Sequence, residues 1–245
     1  MKPFLILQLR PIDEASNNEF EAFLEYGNLL EGDVHRIRME ENGIPILNLN
    51  DYSGVIVGGG PCNVSDNHEE KYDYQKVFEP QLLKLLERIV QTDFPYLGTC
   101  YGLGILNAYL GGSVSKDKYS EKVDAVQINI SDEGLNDDLL KDIPISFIAF
   151  GGHKEACQNI PNSAVLLASS NTCPYQMIRV KNNIYATQFH PELDLNGILV
   201  RIEAYKNHGY FQLSEAEKLS EQVKTYDIEY PSVILKRFVQ KYKCV

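Results

Sequence analysis

Phe4-Leu-Ile-Leu-Gln-Leu9 is a near-continuous apolar run, the mark of a strand buried on both faces of a parallel sheet. A strand of that kind belongs in an α/β protein. Phe20, Phe23, Leu24 and Leu30 then follow rough helical spacing, which predicts a helix capped by Ser16 or Asn17 and ended by Gly32. Val34 to Met39 predicts a second strand, followed by an Asn42-Gly43 turn and a loop through Pro45 to Asn50. Tyr52 to Val57 predicts a third strand running into Gly58-Gly59-Gly60-Pro61, and the polar, acidic stretch from Asn63 to Tyr74 reads as a loop. Val77 to Val90 places Phe78, Leu82, Leu85, Leu86 and Ile89 on one face, as a helix covering the sheet does.

The pattern then changes. Phe94 to Gly112 is a short apolar strand, a cysteine between glycines and an apolar helix closed by two glycines. From Val114 onward the chain reads as antiparallel or mixed β, with clean alternation over Ala125 to Ile130, one or two helical turns over Leu135 to Leu140, and a strand over Ile145 to Phe150. Val165 to Ser169, Tyr175 to Val180 and Ile184 to Gln188 predict three more strands, the last two joined at Asn182-Asn183. The remainder reads as helices: Leu195 to His208, Ser214 to Tyr226 with Ser214 and Glu217 as a capping box, and Ser232 to Tyr242.

The candidate chemistry centres on Cys100. A side chain at the tip of a tight strand-to-helix turn crowds its neighbours, so Gly98 and Gly102 read as the flanks of a nucleophile elbow with sulfur in place of oxygen. The helix starting at Tyr101 aims its N–H groups at the sulfur, which predicts a lowered thiol pKa. The bland alternative is a small cysteine packed at a turn. Tyr185-Ala-Thr-Gln-Phe-His-Pro-Glu192 weighs against it: an apolar strand ends at His190, which could take the thiol proton, and Glu192 could orient the imidazole. In a parallel sheet the glycine loop, Cys100 and His190 converge beyond the carboxyl ends of the strands. Gly58-Gly59-Gly60 lets the backbone turn its amides toward a ligand, as an oxyanion hole requires. No Gly-Lys-Ser, Gly-Lys-Thr or Gly-x-Gly-x-x-Gly pattern supports a phosphate cradle.

Val55-Ile-Val-Gly-Gly-Gly-Pro61, Pro95-Tyr-Leu-Gly-Thr-Cys-Tyr-Gly102, Leu110-Gly-Gly-Ser-Val114 and Gln188-Phe-His-Pro-Glu192 together resemble the class I glutamine amidotransferases, the Cys-His-Glu family that hydrolyses glutamine to supply ammonia. The resemblance spans roughly residues 50 to 195. Gly152-His-Lys-Glu155, Ile160-Pro161 and the helical tail make it similar to stand-alone relatives of the GMP synthetase glutaminase domain. It implies a flavodoxin-like, open, mixed and mostly parallel sheet flanked by helices, formed by residues 1–195, with residues 196–245 as a helical C-terminal extension packed on the same domain. It also implies catalytic Cys100, His190 and Glu192, an oxyanion hole from Gly59 or Gly60 together with Tyr101, and substrate contacts from Gly104, Gly152, His153 and Gln188. Neither a metal nor a cofactor is implied.

One position departs from the family: where a glutamine usually stands four residues after the nucleophile and helps hold the substrate, this chain has Gly104. The substrate is therefore glutamine or another γ-glutamyl small molecule with a larger leaving group. His153 reads equally as a loop histidine capping the following turn, and Lys154 and Glu155 could pair with each other or with solvent. No ATP-pyrophosphatase domain accompanies the glutaminase-like part, so this polypeptide alone is not expected to make GMP: either a separate synthase chain takes the ammonia, or the protein is a free-standing hydrolase. A γ-glutamyl hydrolase using the same triad and a non-catalytic interaction module are the other readings.

Composition narrows the picture modestly. The 245 residues, 44% hydrophobic and 23% charged, fit one large globular domain. A net charge of −11 disfavours a nucleic-acid surface. No apolar run approaches the roughly 20 residues of a membrane span, and the short run after Met1-Lys-Pro lacks a signal peptide's apolar length and cleavage site. Five cysteines, Cys62, Cys100, Cys157, Cys173 and Cys244, are odd in number and show no Cys-x-x-Cys spacing. A reducing, cytoplasmic location is expected.

Overall fold

The structure is a computed structural model that describes residues 2–206 and 213–243, with the side chain of residue 213 outside the description. In chain order the first half contains β1 (Phe4–Gln8), α1 (Asp13–Gly27), β2 (Val34–Arg38), α2 (Met39–Asn42), β3 (Gly54–Val57), α3 (Asp73–Thr92), β4 (Tyr96–Thr99) and α4 (Tyr101–Tyr109). The second half contains β5 (Val114–Ser115), β6 (Glu121–Ile130), α5 (Asp132–Leu135), β7 (Ser146–His153), β8 (Ala156–Cys157), β9 (Ala164–Ser169), β10 (Met177–Val180), β11 (Ile184–Thr187), α6 (Leu195–Tyr205), α7 (Ala216–Val223) and α8 (Tyr230–Tyr242).

Nine strands form one sheet in the order β2-β1-β3-β4-β11-β10-β9-β6-β7, and β5 pairs with β8 in a separate ribbon. The five strands from β2 to β11 are mutually parallel. The remaining pairs, from β11–β10 out to β6–β7, are antiparallel. This is the flavodoxin-like mixed sheet that the sequence resemblance implies.

Helices cover both faces because successive side chains of a strand point to opposite sides. Leu5 and Leu7 of β1 face a core shared with Phe78, Leu82, Leu85, Leu86 and Ile89 of α3, the five residues that the helical spacing assigned to one face. Phe4 and Ile6 face the other way, into a core with Phe23 of α1 and Phe238 of α8. A third cluster joins Phe150, Leu193, Ile198, Ile202 and Val223, so that α6 and α7 close over the end of β7. Among the described residues no helix is long and apolar enough to cross a membrane. Cys62, Cys100, Cys157 and Cys173 are free thiols, whereas Cys244 and the predicted helix end at His208 lie outside the described residues.

Several boundaries differ from the pattern-based expectation, each for a local reason. Helix α1 runs from Asp13 to Gly27 and is closed by Asn28, which adopts the left-handed conformation with φ 51° and ψ 51°. Its opening acids, Asp13 and Glu14, suit the positive end of the helix. Ser16 and Asn17 sit inside the helix, where Ser16 Oγ and Asn17 Oδ1 accept from Arg36. Gly32 lies in a separate short turn. Helix α5 ends at Leu135, where a helix was expected to begin, because Ser131 caps it early: its Oγ accepts from the Gly134 N–H at 3.0 Å. The capping box at Ser214 is absent, since Ser214 lies within a 3-10 turn and Glu215 precedes α7 without a side-chain cap.

Helix α8 packs on α1, and Phe238 meets the rings of Phe4 and Tyr185 at centroid distances of 6.3 and 6.5 Å. Truncating a fully buried phenylalanine costs about 3–5 kcal/mol. Phe238→Ala should therefore lower the urea unfolding free energy by that amount, and a change within about 0.5 kcal/mol would show that α8 lies outside the folding core.

Candidate active site

The site forms where adjacent parallel strands stop. Chains leaving the carboxyl ends of β3, β4 and β11 carry Gly58-Gly59-Gly60, Cys100 and Gln188 to Glu192 respectively, and β1 on the far side of β3 carries Arg10. Convergence of these segments is a consequence of strand order.

Cys100 has φ 51° and ψ −95°, a strained backbone for a residue with a side chain. Its N–H donates to the Thr187 carbonyl at 2.7 Å, which pins the elbow to β11. The flanking glycines are required by space: a Cβ on Gly98 would stand 2.7 Å from the Gly102 carbonyl carbon, and one on Gly102 would stand 2.9 Å from the Val57 oxygen. Tyr101 opens α4, where a backbone N–H has no partner within the helix.

His190 is buried, and its Nδ1 lies 2.7 Å from Glu192 Oε1. A Cβ on Gly59 would stand 3.2 Å from the Cys100 Cβ, 2.5 Å from His190 Cε1 and 3.1 Å from His190 Nε2. Cys100 and His190 thus flank a single point that only glycine leaves open. A Cβ on Gly60 would meet the Leu9 carbonyl at 2.2 Å, so this loop is also held against β1.

The family model for class I glutamine amidotransferases matches residues 16–197. The chain belongs to that family. A GMP synthase [glutamine-hydrolyzing] from Bacillus velezensis is 32% identical over 69% of this chain, which spans only 29% of that protein's length. One subunit of a GMP synthase [glutamine-hydrolyzing] from Thermoplasma volcanium is 29% identical over 62% of this chain and 69% of its own. A glutamine amidotransferase structure from Thermotoga maritima superimposes with a TM-score of 0.77 at 20% identity, covering 99% of this chain and 98% of its own, and shows the shared fold.

In this member of the family Cys100 opens onto two chambers. One is bounded by Arg10, Gly60, Val123, His190, Arg201 and Tyr205, with Leu193 and Ile198 of the segment around α6 closing it. The other is bounded by Gly104, Tyr101, Gly152, His153, Lys154, Glu155 and Gln188. Gln188 Nε2 lies 3.7 Å from Cys100 Sγ. Gly152 borders both chambers, and a Cβ there would stand 2.8 Å from Val123 Cγ2. His153 is committed to the fold: Nδ1 lies 2.8 Å from the Glu155 carbonyl and Nε2 lies 2.8 Å from Glu121 Oε2.

Sequence reasoning missed a buried charge network behind the histidine. Glu19 Oε1 accepts from Arg10 Nε at 2.6 Å and from Arg201 Nη2 at 3.3 Å, while its Oε2 accepts from Gln8 Nε2 at 2.8 Å. The same Arg201 Nη2 donates to Glu192 Oε1 at 2.9 Å. Glu19, His190 and Glu192 bring ligand-type atoms within 4.8 Å of one another, and the cations seated on the two carboxylates are these guanidinium groups. Arg201, set within the apolar run Ile198 to Ile202, is the one signal the sequence offers, whereas Glu19 is one of several acids on α1.

The network sets the protonation states. Burial opposes ionisation of Glu192, yet His190 and Arg201 outweigh it and hold the carboxyl well below its usual range. Burial also lowers the His190 pKa, with Arg201 and Arg10 acting the same way against Glu192. Burial pushes the Cys100 thiol up to about 12, although Arg10 and Arg201 pull it down. The expected lowering of the thiol pKa is therefore corrected to a raised one, because burial outweighs the pull of Arg10 and Arg201.

Removing one member of a buried charge set strands the others and costs about 3–5 kcal/mol. Arg201→Met should lose that much stability by urea denaturation, and a loss below about 1 kcal/mol would show that the pairs contribute no more than surface ones. Stability should also fall with acid. Glu192 and His190 both release protons more readily when folded, so their contribution is complete above the ordinary values of about 4.3 and 6.5 and is lost as pH falls through the lowered folded values. The His190 share goes first. His190→Gln should flatten the decline just below about pH 6.5, and unchanged pH dependence would contradict the assignment.

Proposed function

We propose that this protein is a glutaminase that converts glutamine to glutamate and ammonia through a thioester on Cys100. The observation that carries the reading is the elbow cysteine facing, across Gly59, an imidazole whose other nitrogen is held by a buried carboxylate.

His190 Nε2 takes the Cys100 proton as the sulfur bonds to the side-chain amide carbon of glutamine, and the carbonyl π electrons move onto oxygen. With the thiol resting near 12, proton removal must accompany attack, and the depressed basicity of His190 keeps the imidazole neutral and able to accept. The ionised Glu192 then stabilises the imidazolium. The oxyanion is met by backbone N–H groups of Tyr101 and the Gly59-Gly60 loop. On collapse the C–N bond breaks, and His190 returns its proton to the departing nitrogen as ammonia. Water, deprotonated by His190, adds to the thioester carbon, and the C–S bond breaks to give glutamate and restore the thiol.

The similarity to a subunit of GMP synthase supports a separate synthase chain as the consumer of this ammonia. A second reading, hydrolysis of γ-glutamyl compounds with larger leaving groups, is favoured by the chamber on the imidazole side. Arg10, Val123, Leu193, Ile198, Arg201 and Tyr205 line it, a wider surround than a departing ammonia needs.

Purified protein supplied with glutamine and a series of γ-glutamyl amides and dipeptides should release glutamate and carry a γ-glutamyl adduct visible by mass spectrometry. Cys100→Ala should abolish both, and removing one oxyanion donor should cost about 10²–10³ in rate. Preference for dipeptides over glutamine would decide for the second reading. Release that persists in Cys100→Ala would refute both.

A further inference from the structure

The chamber on the imidazole side of Cys100 is lined by Arg10, Arg201 and His190, with Leu193 and Ile198 closing it. Among the described residues no carboxylate lines it: Glu19 and Glu192, which pair with the two guanidinium groups, are absent from its walls. The wall is therefore cationic, although the charge network as a whole is balanced.

The pairing leaves donors over. A guanidinium carries five N–H groups. Arg201 bonds both carboxylates through Nη2 alone, at 3.3 Å to Glu19 and 2.9 Å to Glu192, and its Nε and Nη1 are buried without a hydrogen-bond partner among the described residues. Arg10 reaches Glu19 through Nε, and its guanidinium carbon stands 5.9 Å from the centre of the Tyr205 ring. A buried donor left unpaired costs about 1–3 kcal/mol, and more when it is charged. A carboxylate arriving in the chamber recovers that cost through charge-assisted hydrogen bonds.

The position of the chamber gives the anion its source. In the proposed reaction His190 returns a proton to the departing nitrogen, and it lines this same chamber. Whatever is attached to that nitrogen enters here. Burial raises the Cys100 thiol pKa while Arg10 and Arg201 oppose it, so both cations act within reach of the reacting sulfur. Departing ammonia carries nothing that a guanidinium can hold.

We infer that this chamber is an anion subsite for the leaving group, in which Arg201 and Arg10 hold a carboxylate borne next to the departing nitrogen, so that γ-glutamyl amino acids are preferred among substituted γ-glutamyl amides. The inference rests on the thioester chemistry proposed above and gives its second reading a substrate class. The γ-glutamyl C–N bond breaks, and His190 passes the proton taken from Cys100 to the amine nitrogen. The free amino acid leaves with its carboxylate ionised, and water then hydrolyses the thioester to glutamate. Leu193 and Ile198 offer the side chain of that amino acid an apolar wall.

The test uses the full chain with γ-glutamylglycine and γ-glutamylglycinamide, which are nearly equal in size and differ in the charge of the leaving group. Glutamate release should give the acid a kcat/KM roughly 10–100-fold above the amide, as hydrogen bonds to a charged group supply. Arg201→Lys keeps a positive charge without the guanidinium donors and should bring that ratio toward one. A substitution that merely loosens the site slows both substrates alike, and an unchanged ratio would overturn the assignment. Equal kcat/KM for the pair in the parent protein would overturn it with no substitution at all. Glutamate release from glutamine with none from γ-glutamylglycine would also overturn it and leave the glutaminase reading standing. No release from any of the three, with no adduct on Cys100, would refute the thioester reading and this inference with it.

Discussion

The Glu19 carboxylate is the constraint on which the rest of the site depends. It lies on α1, is fully buried, and is held by Gln8 and Arg10 at the end of β1 and by Arg201 on α6. Charges in an interior are tolerated only when they are paired and hydrogen-bonded, so the folded state must bring these elements to one place together. Arg201 continues the chain to Glu192, and Glu192 continues it to His190. The orientation of the imidazole is thus tied to the packing of the first helix and of the helix that follows the histidine. The apolar cores fix where the sheet and helices lie, while the charge network fixes how the segment beyond β11 is aimed.

That network also decides which form of the site rests. A helix end and two guanidinium groups favour a thiolate, but taking the sulfur out of water opposes it and wins, leaving the thiol near 12. Arg201 lies close enough to depress both Glu192 and His190. In the proposed reaction this arrangement suits a base that must be neutral when substrate arrives and charged only as the sulfur attacks. The dominant electrostatic influence on the cysteine is burial, and a substrate that changes the solvation of the site changes the acidity of its nucleophile.

Much of this was legible in the amino-acid order, for identifiable reasons. Apolar runs such as Phe4 to Leu9 reveal parallel strands because both faces are buried, and the Phe78 to Ile89 spacing reveals α3 because one face is. The elbow is readable because Gly98 and Gly102 are demanded by backbone crowding rather than by packing. Boundaries were harder. Helix α1 is closed by Asn28, whose side chain tolerates the left-handed conformation, before Leu30, which is largely exposed, and neither fact follows from hydrophobic spacing. Arg10, Glu19 and Arg201 escaped because their partners lie on other elements, and pairing across strands and helices leaves no period to detect. The fate of His153 was equally hidden, since its partner Glu121 comes from another strand.

Gly104 shows why an absent side chain is hard to interpret from sequence. Read as a deletion, it removes a donor and enlarges a pocket. In the fold, the space beside it is bordered by Val64 and by a carboxylate anchored from β8's approach, at Glu155. The change is one of chemical character as well as volume: a neutral amide that can donate or accept would be replaced by an oxygen that only accepts. Cys100 borders both chambers, so the lining on the Gly104 side can change without altering the lining on the imidazole side.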